Sequence, residues 1–139
     1  MKSFRKELEI ESDARMAFIN ITDQVESAIR ESGIMEGFAL VNAMDVTSSC
    51  FVGDNEKGSL ADLNKWVDRM APHEPLTLWK HNEDGEENGD AHLKRQLMGR
   101  EVMIAVTGGR CDFGTWEQLF FGEFDGPKSK KVLIKIIGE

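Results

Sequence analysis

Two of the three histidines, His81 and His92, flank the acidic, glycine-containing segment Asn82-Glu83-Asp84-Gly85-Glu86-Glu87-Asn88-Gly89-Asp90. Neutral imidazole is the commonest protein metal ligand and a general acid or base near neutral pH. Carboxylates beside it would add affinity for a cation. The spacing matches no standard ligand motif, so two readings stand: a metal or catalytic site, or two surface imidazoles on an acidic loop. His73, between Pro72 and Glu74, is expected outside any such site, in the turn that ends a helix.

Three further polar segments interrupt an apolar frame. Asp45-Val46-Thr47-Ser48-Ser49 lies where a strand is expected. Buried carboxylates and hydroxyls are costly unless paired, so this is either a site or a strand end facing solvent. Gly53-Asp54-Asn55-Glu56-Lys57-Gly58 is rich in oxygen ligands but lacks the EF-hand register, which argues against calcium. Thr107-Gly108-Gly109-Arg110, followed by Phe113-Gly114-Thr115-Trp116, could offer backbone amides and a guanidinium to an anion. It reads equally as a hairpin turn. Trp66 and Trp79 are assigned to the core, and Trp116 to a pocket wall or the core.

The elements that must position these groups follow from periodicity. Phe4, Leu8 and Ile10 alternate with charged residues, which predicts a half-buried strand. A helix is expected from Thr22, its cap, through Asp23, Val25, Ala28 and Ile29 to a stop at Gly33. The segment 37–52 is β-like on either side of the Asp45 break. A second helix is expected with Ser59 as cap, an apolar stripe at Leu63, Trp66, Val67 and Met70, and an end at Pro72. Asp90 is expected to cap a short third helix carrying Leu93 and Leu97 and closed by Gly99. Strands are predicted over 102–106, 116–124 and 132–137. Late strands without crossover helices require antiparallel or mixed pairing, so the fold class is α+β with about three helices, in one domain over 1–139.

At 139 residues the chain can bury a core without disulfides, and Cys50 and Cys111 read as reduced, buried thiols. The formal charge of −8 disfavours nucleic acid and anionic membranes as partners. The Lys128, Lys130, Lys131 cluster is read as a solvated turn. No secretory signal follows the basic start, which leads to the expectation of a cytoplasmic protein.

Taken in order, these blocks resemble the YjbQ family of small proteins described as secondary thiamine-phosphate synthases. The resemblance rests on His81-Asn82 through Asn88-Gly89-Asp90-Ala91-His92-Leu93, on Phe113-Gly114-Thr115-Trp116-Glu117-Gln118, and on Glu123-Phe124-Asp125-Gly126-Pro127 with the terminal Gly138-Glu139. It implies an α+β domain that assembles as a homotrimer, with a histidine-lined site for a divalent metal or a phosphate. The implied activity joins a pyrimidine pyrophosphate to a thiazole phosphate, with no organic cofactor.

The chain departs from the family's pattern where relatives carry a third histidine opening a strand: Asp45 stands there. Gly53-Asp54 replaces an Asn-Glu or Asn-Asp pair, Lys128 stands for Arg, and Gly89 for Ala. The resemblance thus assigns His81, His92 and Asp45 as catalytic groups and ligands of a divalent metal such as zinc, iron or manganese. Thr47, Gly108, Gly109, Arg110, Thr115, Trp116 and Lys128 would bind a small phosphorylated substrate. Two rival readings are a protein that binds a metal or phosphate ligand without turnover, and a trimeric scaffold with no ligand. The apolar late strands around Val132-Leu133-Ile134 and Ile136-Ile137 would leave a sheet surface exposed in a monomer, which adds to the expectation of a trimer.

Overall fold

The computed structural model describes residues 1–139 and contains eight strands and three α-helices. In chain order these are β1 (Lys2–Glu11), β2 (Ala17–Asn20), α1 (Thr22–Ser32), β3 (Glu36–Ala43), β4 (Ser48–Asp54), α2 (Lys57–Met70), α3 (Gly89–Met98), β5 (Glu101–Thr107), β6 (Arg110–Cys111), β7 (Glu117–Glu123) and β8 (Ser129–Gly138). Short 3-10 turns at Leu76–Leu78 and Lys80–Asp84 connect α2 to α3.

All strand pairs are antiparallel, in a five-stranded sheet β1-β8-β3-β5-β6 and a three-stranded sheet β2-β7-β4. The α+β expectation holds. The alternation in β1 is genuine: Phe4, Leu8 and Ile10 turn inward while Arg5, Glu7 and Glu9 face out. One large apolar cluster joins the inner faces of both sheets to Val25, Ala28 and Ile29 of α1. Apolar burial on that scale is the dominant stabilising contribution to a fold of this size. The other face of the small sheet presents Phe18, Phe51, Phe120 and Phe124. Phe51 stacks on Phe120 at 5.5 Å and meets Phe18 edge-on at 5.3 Å. Phe124, with Val67 of α2 and Ala91 of α3, forms a second, smaller cluster.

Several local expectations are corrected. Thr22 does not cap α1; its hydroxyl accepts from the Leu119 amide at 2.8 Å and ties the helix start to β7. Ser59 does not cap α2 either. Glu56 does, accepting the Gly58 and Ser59 amides. Asp90 lies inside α3, which starts at Gly89, and its buried carboxylate pairs with Lys94, Arg15 and His73. Trp66 is 45% exposed and does not belong to the core. Lys130 is not part of a solvated turn: it sits inward on β8 in phase with Val132, Ile134 and Ile136. Gly33 and the Gly108-Gly109 hairpin adopt the positive φ that only glycine takes without strain.

Candidate functional site

The break between β3 and β4 is a turn built on Asp45. Its Oδ1 accepts the Thr47 amide at 2.8 Å and the Thr47 hydroxyl at 2.6 Å, an arrangement that replaces strand hydrogen bonds with a local side-chain one. The ammonium of Lys130 approaches the same oxygen to 3.1 Å, donates to Thr47 Oγ1 at 2.7 Å and pairs with Glu123 Oε2. Lys130 is 5% exposed and Glu123 fully buried. Burial alone would raise the Asp45 carboxyl, but the Thr47 hydrogen bonds and Lys130 outweigh it and hold it below the ordinary carboxylate range.

The histidines come from two elements locked together. His81 lies in the 3-10 turn and His92 in α3, and their ring centroids are 4.4 Å apart. Asn82 clamps the junction, accepting the Gly89 amide at 3.0 Å and donating to the Leu76 carbonyl at 2.9 Å. The Trp79 indole donates to the Pro72 carbonyl, and a Cβ on Gly89 would stand 2.6 Å from Trp79 Cβ, so glycine is what lets α3 start this close to the turn. His73 lies apart from the pair, 3.0 Å from Asp90 Oδ1.

A polar chain then fixes one imidazole. Lys128 Nζ donates to Asp125 Oδ2 at 2.6 Å, Asn88 Nδ2 donates to the same oxygen at 2.9 Å, and Asn88 Oδ1 faces His81 Nε2 at 2.9 Å. An amide oxygen only accepts, so His81 carries a proton on Nε2 and leaves Nδ1 as its lone pair when neutral. The Asp125 hydrogen bond holds the Lys128 ammonium above its ordinary pKa. Burial pushes Asp125 up, yet Lys128 and Asn88 bring its carboxyl below the usual range. Burial and then the neighbouring His81 lower His92, against the opposing charges of Asp125, Asp45 and Glu86. His92 is therefore a neutral imidazole at neutral pH. Glu123 organises the loop that delivers Asp125, accepting its amide at 3.1 Å, while a Cβ on Gly126 would collide with the Ala14 carbonyl.

As a divalent-metal centre this donor set does not close. No three His, Cys, Asp or Glu side chains are grouped so as to hold an ion. The Asp45 oxygen that turns toward the interior already faces an ammonium, and a metal there would meet a like charge.

The other residues singled out from the sequence lie elsewhere. Thr107 pairs with Glu36 at the start of β3, whereas Asp45 follows Ala43 at its end. At about 3.3 Å per residue the two ends are roughly 23 Å apart. The Gly108 amide faces Glu36 Oε1 at 3.4 Å and the Gly109 amide donates to the Met35 carbonyl at 3.0 Å. Arg110 and Thr115 line a polar cavity of about 550 Å³ with Thr22, Asp23 and Glu26, while Trp116 is 75% exposed and is no pocket wall in this chain. Thus Asp45, Thr47, His81, His92 and Lys128 gather at one end of the fold, and Gly108, Gly109, Arg110, Thr115 and Trp116 at the other. Asn88, Glu123, Asp125 and Lys130 belong to the first group and were not singled out as site residues from the sequence. The inward phase of Lys130 along β8 is the signal that could have found it.

An α+β protein with two facing sheets, three helices and a histidine-lined polar cluster at one sheet end is the class these features define. The sequence matches the family described as UPF0047 protein YjbQ-like over residues 6–139, and the chain belongs to that family. It is similar to a UPF0047 protein of Archaeoglobus fulgidus, 33% identical and covering 94% of this chain and 99% of the relative. It is also similar to the UPF0047 protein YugU of Bacillus subtilis, 32% identical over 96% and 98% of the two chains. Among solved structures, a YbjQ-like protein of unknown function from Sulfolobus solfataricus P2 superposes with a TM-score of 0.94 at 28% identity, over 99% of each chain. An uncharacterised YjbQ/UPF0047 protein from Clostridium acetobutylicum gives 0.87 at 32% identity, over 95% of this chain and 99% of the other. No helix is long and apolar enough to cross a membrane.

Proposed function

We propose that this chain is a YjbQ-type transferase acting on a small phosphorylated heterocycle at the His81–His92 cluster. The observation that carries the reading is the pair of imidazoles 4.4 Å apart, one with its tautomer set by Asn88, beside the Lys128 ammonium held by Asp125. Such a set presents a fixed cation and the His92 imidazole to phosphate oxygens, and leaves the His81 Nδ1 lone pair to accept a hydrogen bond. The reaction class comes from the family likeness. The thiazole ring nitrogen would form a C–N bond to the pyrimidine methylene carbon, the C–O bond to pyrophosphate would break, and pyrophosphate would leave with the bonding pair. The work asked of the protein is then to stabilise charge as it grows on the departing oxygens. The Lys128 ammonium is the group placed for it, with the His92 ring beside His81, whose own Nε2–H is engaged by Asn88. A homotrimer is part of the proposal, since Phe38, Met103 and Ile137 leave apolar surface exposed on the outer face of the large sheet.

A second reading is favoured by one observation: Asp45, standing where relatives carry histidine, is engaged by Lys130 and Thr47. The chain would then bind its phosphorylated ligand without turnover. Product formation from the pyrimidine pyrophosphate and thiazole phosphate, followed by chromatography with and without added Mn²⁺, separates the two. The transferase reading expects thiamine phosphate and pyrophosphate in equal amounts; binding of both substrates with no product would leave the second.

A further inference from the structure

We propose that Lys130 is a positioning residue that holds Asp45 as an internal ion pair, so that a buried ammonium occupies the cation position a metal would take on that carboxylate. The inference deepens the phosphorylated-ligand reading of the same site. Lys130 is 5% exposed and has four acceptors: Glu123 Oε2, Thr47 Oγ1 at 2.7 Å, the Thr47 carbonyl at 3.4 Å and Asp45 Oδ1 at 3.1 Å. A buried ammonium needs such partners to remain charged. Glu123, fully buried between the sheets, anchors it from the far side. Asp45 is the more exposed partner, with its side chain 35% accessible, and its charge is felt at His92. A carboxylate in place of an imidazole adds a negative charge where a phosphorylated ligand is to be bound. Lys130 offsets that charge from beneath, without a metal. The same contact denies Asp45 Oδ1 to an external cation. In this chain Asp45 is thus an orienting acceptor for Thr47, and the metal-ligand role implied by the resemblance passes to no other group.

The test reads Mn²⁺ alone, by selective paramagnetic broadening of the Thr47 amide, which donates to Asp45. Wild type is expected to show no selective broadening there, and Lys130→Arg to behave like wild type. Lys130→Met would strand Glu123, so Lys130→Met/Glu123→Gln keeps the buried site neutral and foldable. This double variant is expected to bind Mn²⁺ at Thr47 at least roughly tenfold more tightly than wild type, and Asp45→Asn in the same background to abolish the gain. Selective broadening of Thr47 in wild type that Asp45→Asn removes would overturn the proposal. So would a folded double variant with no gain in Mn²⁺ binding. Binding of inorganic pyrophosphate to wild type in the presence of a chelator is read separately: its absence would count against the phosphorylated-ligand reading, while the Mn²⁺ series still decides the role of Lys130.

Discussion

The imidazoles of His81 and His92 lie with their centroids 4.4 Å apart and their planes tilted by 59°. At about 4 Å two positive charges repel by roughly 1–4 kcal/mol between water and a protein surface, so charge on His81 disfavours a proton on His92. Burial lowers His92 further below its ordinary 6.5. The fold favours neutral His92 and the unfolded chain takes up its proton near 6.5, so the stabilising contribution is present above that pH and lost as pH falls through the lower folded value. Thermal unfolding measured from pH 7.5 to 5 should show a decline that His92→Gln flattens. An equal decline in the variant would exclude His92 as its source. The depressed Asp45, Asp68 and Asp125 act in a separate window, below their ordinary 3.8.

The Asp90–Lys94 pair, 1% and 0% exposed, is, like Lys130–Glu123, an ion pair buried in the fold. Lys94→Met leaves Asp90 buried with only Arg15 and His73 beside it, and is expected to cost about 3–5 kcal/mol in urea unfolding. Lys131→Met, at an exposed pair 3.7 Å from Glu7, should stay within about 0.5 kcal/mol. Equal effects would refute the distinction.

At the start of α2, Glu56→Ala removes the acceptor of two helix amides and should cost about 1 kcal/mol. Ser59→Ala should change little, within about 0.5 kcal/mol. The reverse order would restore the serine as cap.

Gly89→Ala places a methyl 2.6 Å from Trp79 Cβ and must push the His81 turn away from α3. A loss of about 1–3 kcal/mol is expected. Cross-peaks between the His81 and His92 rings should weaken with it; an unchanged ring contact at full stability would show that the junction is slack.

How much of this was legible in the sequence depends on what each signal can report. Alternation placed β1, and the Val25, Ala28, Ile29 stripe with Gly33 placed α1, because both patterns answer to one buried face. β2 carried no such pattern: its four residues are half-buried and owe their strand form to pairing with β7. Trp66 keeps a helical phase with Val67, but phase does not tell what covers a face, and this chain leaves Trp66 45% exposed. Lys130 was grouped with Lys128 and Lys131 as surface charge, although its even spacing with Val132 and Ile134 already pointed inward. The histidine pair was legible as scarce residues around a polar segment. The Asn88–Asp125 link was not, since residues 37 positions apart meet only through the fold.

His81 and His92, with Lys128, are proposed as the binding site for phosphate oxygens. Calorimetric titration of inorganic pyrophosphate into wild type and into the His81→Ala/His92→Ala variant, at pH 7 with chelator present, tests it most directly. Saturable binding by wild type and at least a roughly tenfold loss in the folded double variant is the result predicted, tenfold being about 1.4 kcal/mol. Equal affinity in the two proteins, or no binding by wild type, would contradict it.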